Sequence, residues 1–172
     1  MAKVIWLTGI SGAGKSTLGG KALEYLRSRG KDAELLDGDA VREFFESDLG
    51  YSSAERRFNV RRIAFAAHKL TEHGIHTVVA NIAPYYDVRD FVRRKLGSRY
   101  LQVYLKTDVA LVRARDIKGL YTRADAGDET NVIGVDDDYD VPRAPDLTID
   151  TGAQSEADSW DKLLAFLQGR GL

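Results

Sequence analysis

Residues Gly9-Ile10-Ser11-Gly12-Ala13-Gly14-Lys15-Ser16 form a complete GxxxxGK[ST] phosphate-binding loop, the feature that most constrains this chain. Its glycines let consecutive backbone N–H groups turn inward around a phosphate without side-chain clash. Lys15 is then placed to reach the β- and γ-phosphates, and the Ser16 hydroxyl to ligate Mg²⁺. The flanks agree with this reading. Residues 3–7 are a short apolar run suited to a buried strand, and residues 16–29 carry Leu18, Ala22, Leu23 and Leu26 at helical spacing. A helix starting at the loop adds the positive field of its N-terminus, so the expected ligand is a nucleotide.

Bulk properties narrow the partners. The 25 basic and 26 acidic side chains leave a net charge of −1, which supplies no basic field for nucleic acid. Cysteine is absent, which removes disulfides, thiolate zinc sites and cysteine nucleophiles. No apolar run approaches the length of a membrane span, so no membrane partner is expected. The first strand pattern begins almost at Met1, leaving no room for a signal peptide, and the cytoplasm is the expected compartment. A length of 172 residues fits one domain, residues 1–172.

Further strand patterns fall at 33–36, 77–80, 100–105 and 147–149, with helical patterns at 40–46, 53–73, 88–96, 108–115 and 156–168. Alternating strand and helix predict an α/β fold with a parallel sheet covered on both faces. Ligands in such sheets sit beyond the C-terminal strand ends. Residues 119–145 break the rhythm: they are rich in Asp and Gly, hold Pro142 and Pro145, and show no sustained period. A connection that long reads as a functional, lid-like segment or a disordered one.

Chemistry-bearing residues cluster after the strands. Asp37 and Asp39 follow the second strand, with Arg42 near the start of the next helix. One carboxylate there can hold Mg²⁺ or its waters and one can accept the proton of an attacking hydroxyl, although Asp39 would also serve as a helix cap. On the 53–73 helix, Val60, Ile63, Ala64, Ala67 and Leu70 make an apolar stripe that runs N-terminally into Arg56 and Asn59. An inward-facing arginine needs an anionic partner, either a ligand or an acidic side chain of the protein. Tyr51 offers a flat face for a base or for packing. Pro84 is expected to stop the third strand at a substrate wall. Arg115 and Lys118 open the irregular segment; such cations neutralise charge in phosphoryl transfer or answer a helix dipole. The three histidines show no ligand spacing with a carboxylate and read as surface or packing residues.

Together these segments resemble the adenylylsulfate kinase family over residues 4–151. The motifs that carry the resemblance are Gly9 to Thr17, Asp37-Gly38-Asp39 with Arg42, and Gly50-Tyr51-Ser52 followed by Arg56, Asn59, Arg61 and Arg62. Ile82, Pro84-Tyr85, Arg89, Arg115-Asp116 and Lys118-Gly119-Leu120-Tyr121 come next, then Gly134, Asp136, Tyr139, Pro142 and Pro145-Asp146 at family spacing. The resemblance implies a P-loop nucleotide-kinase-like three-layer α/β/α fold with a five-stranded parallel sheet. It also implies an ATP- and Mg²⁺-dependent kinase acting on the 3′-hydroxyl of adenosine 5′-phosphosulfate. On this resemblance Lys15, Asp39 and Lys118 are catalytic, with Asp39 the base and, beside Ser16, the metal-site carboxylate. Gly9, Ser11, Gly12, Ala13, Gly14, Lys15, Ser16, Thr17 and Arg115 would bind ATP. Arg42, Tyr51, Arg56 and Asn59 would hold the acceptor, a small-molecule nucleotide, and Asp37, Ile82, Ala83, Pro84, Gly119, Leu120 and Val132 would line its site. Lys118 would bridge the phosphates, and a homodimer is an assembly the family allows.

Departures from the family pattern gather in one place. Asp125 stands where the family usually has Arg, Glu129 where it has Ile, and Val132-Ile133 where it has Phe-Thr. That Phe stacks on the acceptor's adenine, and base–aromatic stacking is worth about 1–3 kcal/mol. Ala83 stands where some members carry serine. The ATP side is intact and the acceptor side altered, which leaves open another nucleotide conjugate such as cytidine diphosphoramidate. From a different class, a non-catalytic nucleotide-binding regulatory module is the alternative; Lys15, Ser16, Asp37, Asp39 and Lys118 together argue against it.

Overall fold

A computed structural model describes residues 1–116, 119–128 and 130–172. The strands are β1 (Val4–Thr8), β2 (Ala33–Asp37), β3 (His76–Ala80), β4 (Tyr100–Lys106) and β5 (Leu147–Asp150). They form one parallel sheet in the order β2-β3-β1-β4-β5. The helices are α1 (Lys15–Ser28), α2 (Gly38–Phe44), α3 (Ser53–Glu72), α4 (Tyr86–Leu96), α5 (Val109–Arg115), α6 (Leu120–Asp125) and α7 (Glu156–Gly169).

β1 is central and buried along its whole length, and its period of two splits the core. Val4 and Trp6 face Ile63, Ala67, Val88 and Val92 of α3 and α4. Ile5 and Leu7 face Leu18, Leu26, Leu163 and Leu167 of α1 and α7. The three-layer arrangement follows from that alternation, since each face of the sheet must be covered by an apolar helix stripe. Chain order reverses around β1, which lies between β3 and β4, so the crevice at its C-terminal end is the topological switch point.

All five expected strands are present within one residue of their expected bounds. The second and fourth helices each start two residues earlier than the periodicity indicated. Polar caps, which hydrophobic spacing does not see, set those starts: the Asp37 carboxylate accepts from Asp39 N at 2.9 Å, and Asp140 accepts from Tyr86 N at 2.7 Å. β3 ends at Ala80, four residues before Pro84, so the proline does not terminate it. The 119–145 segment holds one element that its composition hid, the short helix α6, begun by Gly119 in the left-handed conformation with φ 63°.

Of the histidines, His68 does meet a carboxylate, Glu72 at 3.1 Å one turn away, while His76 serves the sheet. The His76 Nδ1 accepts from Lys3 N at 3.2 Å, tying the start of β3 to the approach of β1. Burial, helped by Lys31 and the chain N-terminus, holds the His76 pKa below its ordinary 6.5. The folded state therefore favours neutral His76, and this contribution is present above pH 6.5 and lost as pH falls through the lowered value. Thermal unfolding followed from pH 7.5 to 5 should show a loss of stability that His76→Gln lacks; parallel curves for the two proteins would remove His76 from this role.

Candidate active site

The phosphate loop links β1 to α1 at the switch point. Gly14 caps α1 with φ 94° and ψ 16°, a left-handed conformation that a side chain rarely adopts. The Lys15 Nζ donates to the Gly9 and Ile10 carbonyls, each at 2.8 Å. The Ser16 hydroxyl donates to Asp37 Oδ2 at 2.8 Å. Asp37 therefore does two jobs: it caps α2 and grips the loop serine, and the cap is Asp37 rather than Asp39. Asp39 sits exposed in the first turn of α2, facing the cleft.

Close approach of β2 and β3 shapes the floor. A Cβ on Gly38 would lie 2.3 Å from Asn81 Nδ2, so any larger residue there would have to displace the Asn81 amide. Asn81 Oδ1 accepts from Ala83 N at 3.0 Å, and Ala83 has φ 42°, strained for a residue with a Cβ. Arg89, buried beneath, supports that bend by donating to the Ala83 carbonyl at 2.7 Å.

The far wall is built on two buried arginines. Arg42 Nη1 donates to the Leu49 and Gly50 carbonyls at 2.9 and 2.7 Å. Arg56 Nε donates to the Tyr51 carbonyl at 2.9 Å and its Nη2 to the Asn131 carbonyl at 2.5 Å. Both guanidiniums lie over the Tyr51 ring, at 4.5 and 5.1 Å. Glu55 fixes the turn that carries Tyr51: it completes a capping box with Ser52 and accepts from Gly50 N at 2.9 Å. Hydrogen bonds from Ser52 and from the Gly50 and Ser52 amides hold its carboxyl below the usual range.

Among the described residues neither Arg42 nor Arg56 makes an ion pair with a carboxylate. Burial lowers the Arg56 pKa, with Arg42 adding to that and Tyr85 and Asp137 opposing it. Asn59 is 1% exposed; its Nδ2 donates weakly to the Gly38 carbonyl at 3.4 Å and its Oδ1 has no hydrogen-bond partner among the described residues.

These pieces enclose one cleft of about 450 Å³. It brings together Ser11, Gly12, Gly14, Lys15, Ser16 and Thr17 of the loop with Asp37 and Asp39. Arg42, Tyr51, Arg56, Asn59, Ile82, Ala83 and Pro84 line it as well, as do Arg115, Leu120 and Val132. Gly9, Ala13 and Gly119 do not line it; Gly9 and Ala13 are buried beneath the loop. Lys118 and Glu129 lie outside the described residues. Asp116 and Tyr121, named only as motif positions, line it too, and sequence spacing missed Asn81, Arg123 and Asn131. Asn81, directly after a strand, carried a turn signal; the others sit in the segment without periodicity.

The family model for adenylylsulphate kinase matches residues 1–150. The chain belongs to the adenylylsulphate kinase family. An adenylyl-sulfate kinase from Deinococcus deserti is 45% identical over 165 residues, covering 96% of this chain and 91% of the relative. One from Synechococcus sp. strain JA-2-3B'a(2-13) is 40% identical over 97% of this chain and 95% of its own. The structure of the Mycobacterium tuberculosis APS kinase CysC in complex with AMPPNP and APS superposes with a TM-score of 0.91 at 32% identity, covering 97% of this chain and 98% of that one.

Against the family pattern, Asp125 turns out of the cleft and pairs with Arg113 of α5 at 3.3 Å. The cation at this helix that lines the cleft is Arg123. Val132 stays where a ring is usual: buried, lining the cleft, with its N–H held by Asp136 Oδ1 at 2.5 Å. If the Arg56 charge is kept for a ligand rather than for the fold, Arg56→Met should change the stability of the ligand-free protein by less than about 1 kcal/mol. The same change should weaken an anionic acceptor nucleotide by at least roughly tenfold. Denaturant unfolding and acceptor titration check both halves; severe unfolding with unchanged acceptor affinity would assign Arg56 to structure.

Proposed function

We propose that this protein transfers the γ-phosphoryl group of ATP to the 3′-hydroxyl of adenosine 5′-phosphosulfate, giving the 3′-phosphorylated nucleotide and ADP. One observation carries the acceptor side: Arg42 and Arg56, both buried and stacked on Tyr51, without a carboxylate partner among the described residues, across the cleft from a phosphate loop. The family's curated relatives bear the matching name, and one neighbour was solved with AMPPNP and APS.

The residues divide the work. Loop amides and Lys15 hold the triphosphate, for which the Lys15 ammonium must leave the Gly9 and Ile10 carbonyls. Arg42 and Arg56 take the acceptor's anionic group, Tyr51 gives its base a flat face, and the unmet end of Asn59 reads an edge of the nucleotide. Asp39 accepts the hydroxyl proton as the new O–P bond forms and the bond to the β-phosphate oxygen breaks. The donor set fits Mg²⁺: no cluster of three acidic or histidine side chains exists among the described residues, and a magnesium held mainly by phosphates and water needs few protein ligands. Ser16 would hold it, with Asp39 and with Asp37 beside the serine. When bound, the ion neutralises charge on the phosphate oxygens. Lys118 and Arg115 belong to the same reading as cations for the transferring group.

In this reading the whole chain acts as one kinase domain, residues 119–145 form its lid, and an ATP-dependent step fits the cytoplasm, where ATP is made. A homodimer is part of it too; α2 and α3 leave Phe44, Phe58 and Phe65 exposed as apolar area for such an assembly. Val132 in the acceptor wall favours a second reading, a pyrimidine conjugate such as cytidine diphosphoramidate, whose smaller base needs less stacking area.

ADP release measured with each acceptor separates the readings. We expect adenosine 5′-phosphosulfate to be used at least roughly tenfold more efficiently; the reverse order would select the pyrimidine conjugate, and ATP binding with no transfer to either would reject both. Asp39→Asn should slow transfer by about 10²–10⁴-fold while AMPPNP affinity moves less than about threefold. A collapse of AMPPNP affinity alone would make Asp39 a binding group.

A further inference from the structure

Tyr121 of α6 touches the phosphate loop directly. Its side chain is 3% exposed, and its hydroxyl donates to the Ser11 carbonyl at 3.0 Å. Burial pushes its pKa up to about 12, so the phenol keeps the proton it donates. The ring is held in place through Asp116, whose carboxylate accepts from Tyr121 N at 3.0 Å and from Thr122 N at 2.9 Å, with the Thr122 hydroxyl at 2.5 Å. Those bonds, the Thr122 hydroxyl first, keep the Asp116 carboxyl below its usual range and therefore charged. Arg123 and Leu120 on the same helix line the cleft.

The Ser11 carbonyl has a partner across one bond. A trans peptide is planar, so the Ser11 C=O and the Gly12 N–H point to opposite sides of a single rigid unit. Gly12 has φ 81° and lines the cleft, and as glycine it lets this unit rotate. Elsewhere in the loop, the Gly9 and Ile10 carbonyls accept from Lys15, and Ile10 also accepts from Ala13 N at 3.2 Å. The Lys15 bonds must break for the lysine to reach a phosphate, whereas the Tyr121 bond lies outside that movement.

We propose that Tyr121 is a positioning residue: by donating to the Ser11 carbonyl it fixes the Ser11–Gly12 peptide and holds the Gly12 N–H toward bound phosphate. The proposal rests on the reading of this loop as the ATP site and adds a protein group that acts on it through the backbone. It ties α6, which faces the acceptor side, to the amides that grip the donor. Removing the phenol oxygen frees the peptide to rotate, and one loop donor is then lost for part of the time.

The test is Tyr121→Phe, which keeps the ring. AMPPNP titrated with Mg²⁺ should bind roughly three- to tenfold more weakly, and kcat/KM for ATP should fall by a similar factor. Acceptor affinity measured without ATP should stay within about twofold, a split that a general loosening of the fold would not give. Asp116→Asn, which slackens the anchor and leaves the phenol in place, should weaken AMPPNP by a smaller factor in the same direction. AMPPNP affinity unchanged within about twofold in Tyr121→Phe, with only the melting temperature lowered, would overturn the proposal and leave Tyr121 a packing residue. AMPPNP binding reads this outcome without acceptor or turnover, so a failure to phosphorylate any acceptor would count against the functional reading and not against Tyr121.

Discussion

Gly14 turns the chain into α1 with a φ of 94°, and the cleft is arranged about that one backbone conformation. β1 is buried on both faces and paired on both edges, so the chain leaving it has a single exit, upward from the sheet at the switch point. A short, tight loop and a helix start are what the exit allows, and together they point several N–H groups at one spot. Asp37 at the end of the neighbouring strand then grips Ser16, and Asp39 follows two residues later on α2. The carboxylate proposed to serve the reacting hydroxyl is thus placed by the register of β2 against β3, not by the loop itself.

The acceptor wall is organised on the opposite principle. Here charged and polar side chains are buried without a carboxylate partner among the described residues. Arg42 and Arg56 satisfy part of their donor capacity on backbone carbonyls and the face of Tyr51, and Asn59 keeps one amide end unmet. In the proposed reading such a wall serves recognition, since much of its desolvation is already met when an anion docks. Glu55 and Asp136 stand behind it, holding the turn under Tyr51 and the strand of backbone that presents the Asn131 carbonyl and Val132.

Hydrophobic period located the sheet because its inner strands are buried: Val4 to Leu7 or Val78 to Ala80 have no other place to go. It located the polar face of α3 for the same reason, as Arg56 and Asn59 extend a stripe that must point inward. It failed wherever side chain–backbone bonds set the structure. α6 is begun by Gly119 and Asp116, and the early starts of α2 and α4 come from Asp37 and Asp140. Asp125 shows the limit most clearly: a reversed charge in the segment reads as a change to the acceptor site, yet its partner is Arg113 on the outer side of α5. Spacing gives neighbours along the chain and says nothing of which way an exposed side chain turns.

The most direct measurement is a crystal structure of the protein soaked with AMPPNP, Mg²⁺ and adenosine 5′-phosphosulfate together. The account predicts a triphosphate ringed by the amides of the 9–16 loop, the acceptor's base against Tyr51, and its 3′-oxygen within hydrogen-bond reach of Asp39, facing the γ-phosphate. An acceptor bound away from Tyr51, or one presenting a different oxygen to the γ-phosphate with Asp39 turned aside, would contradict it.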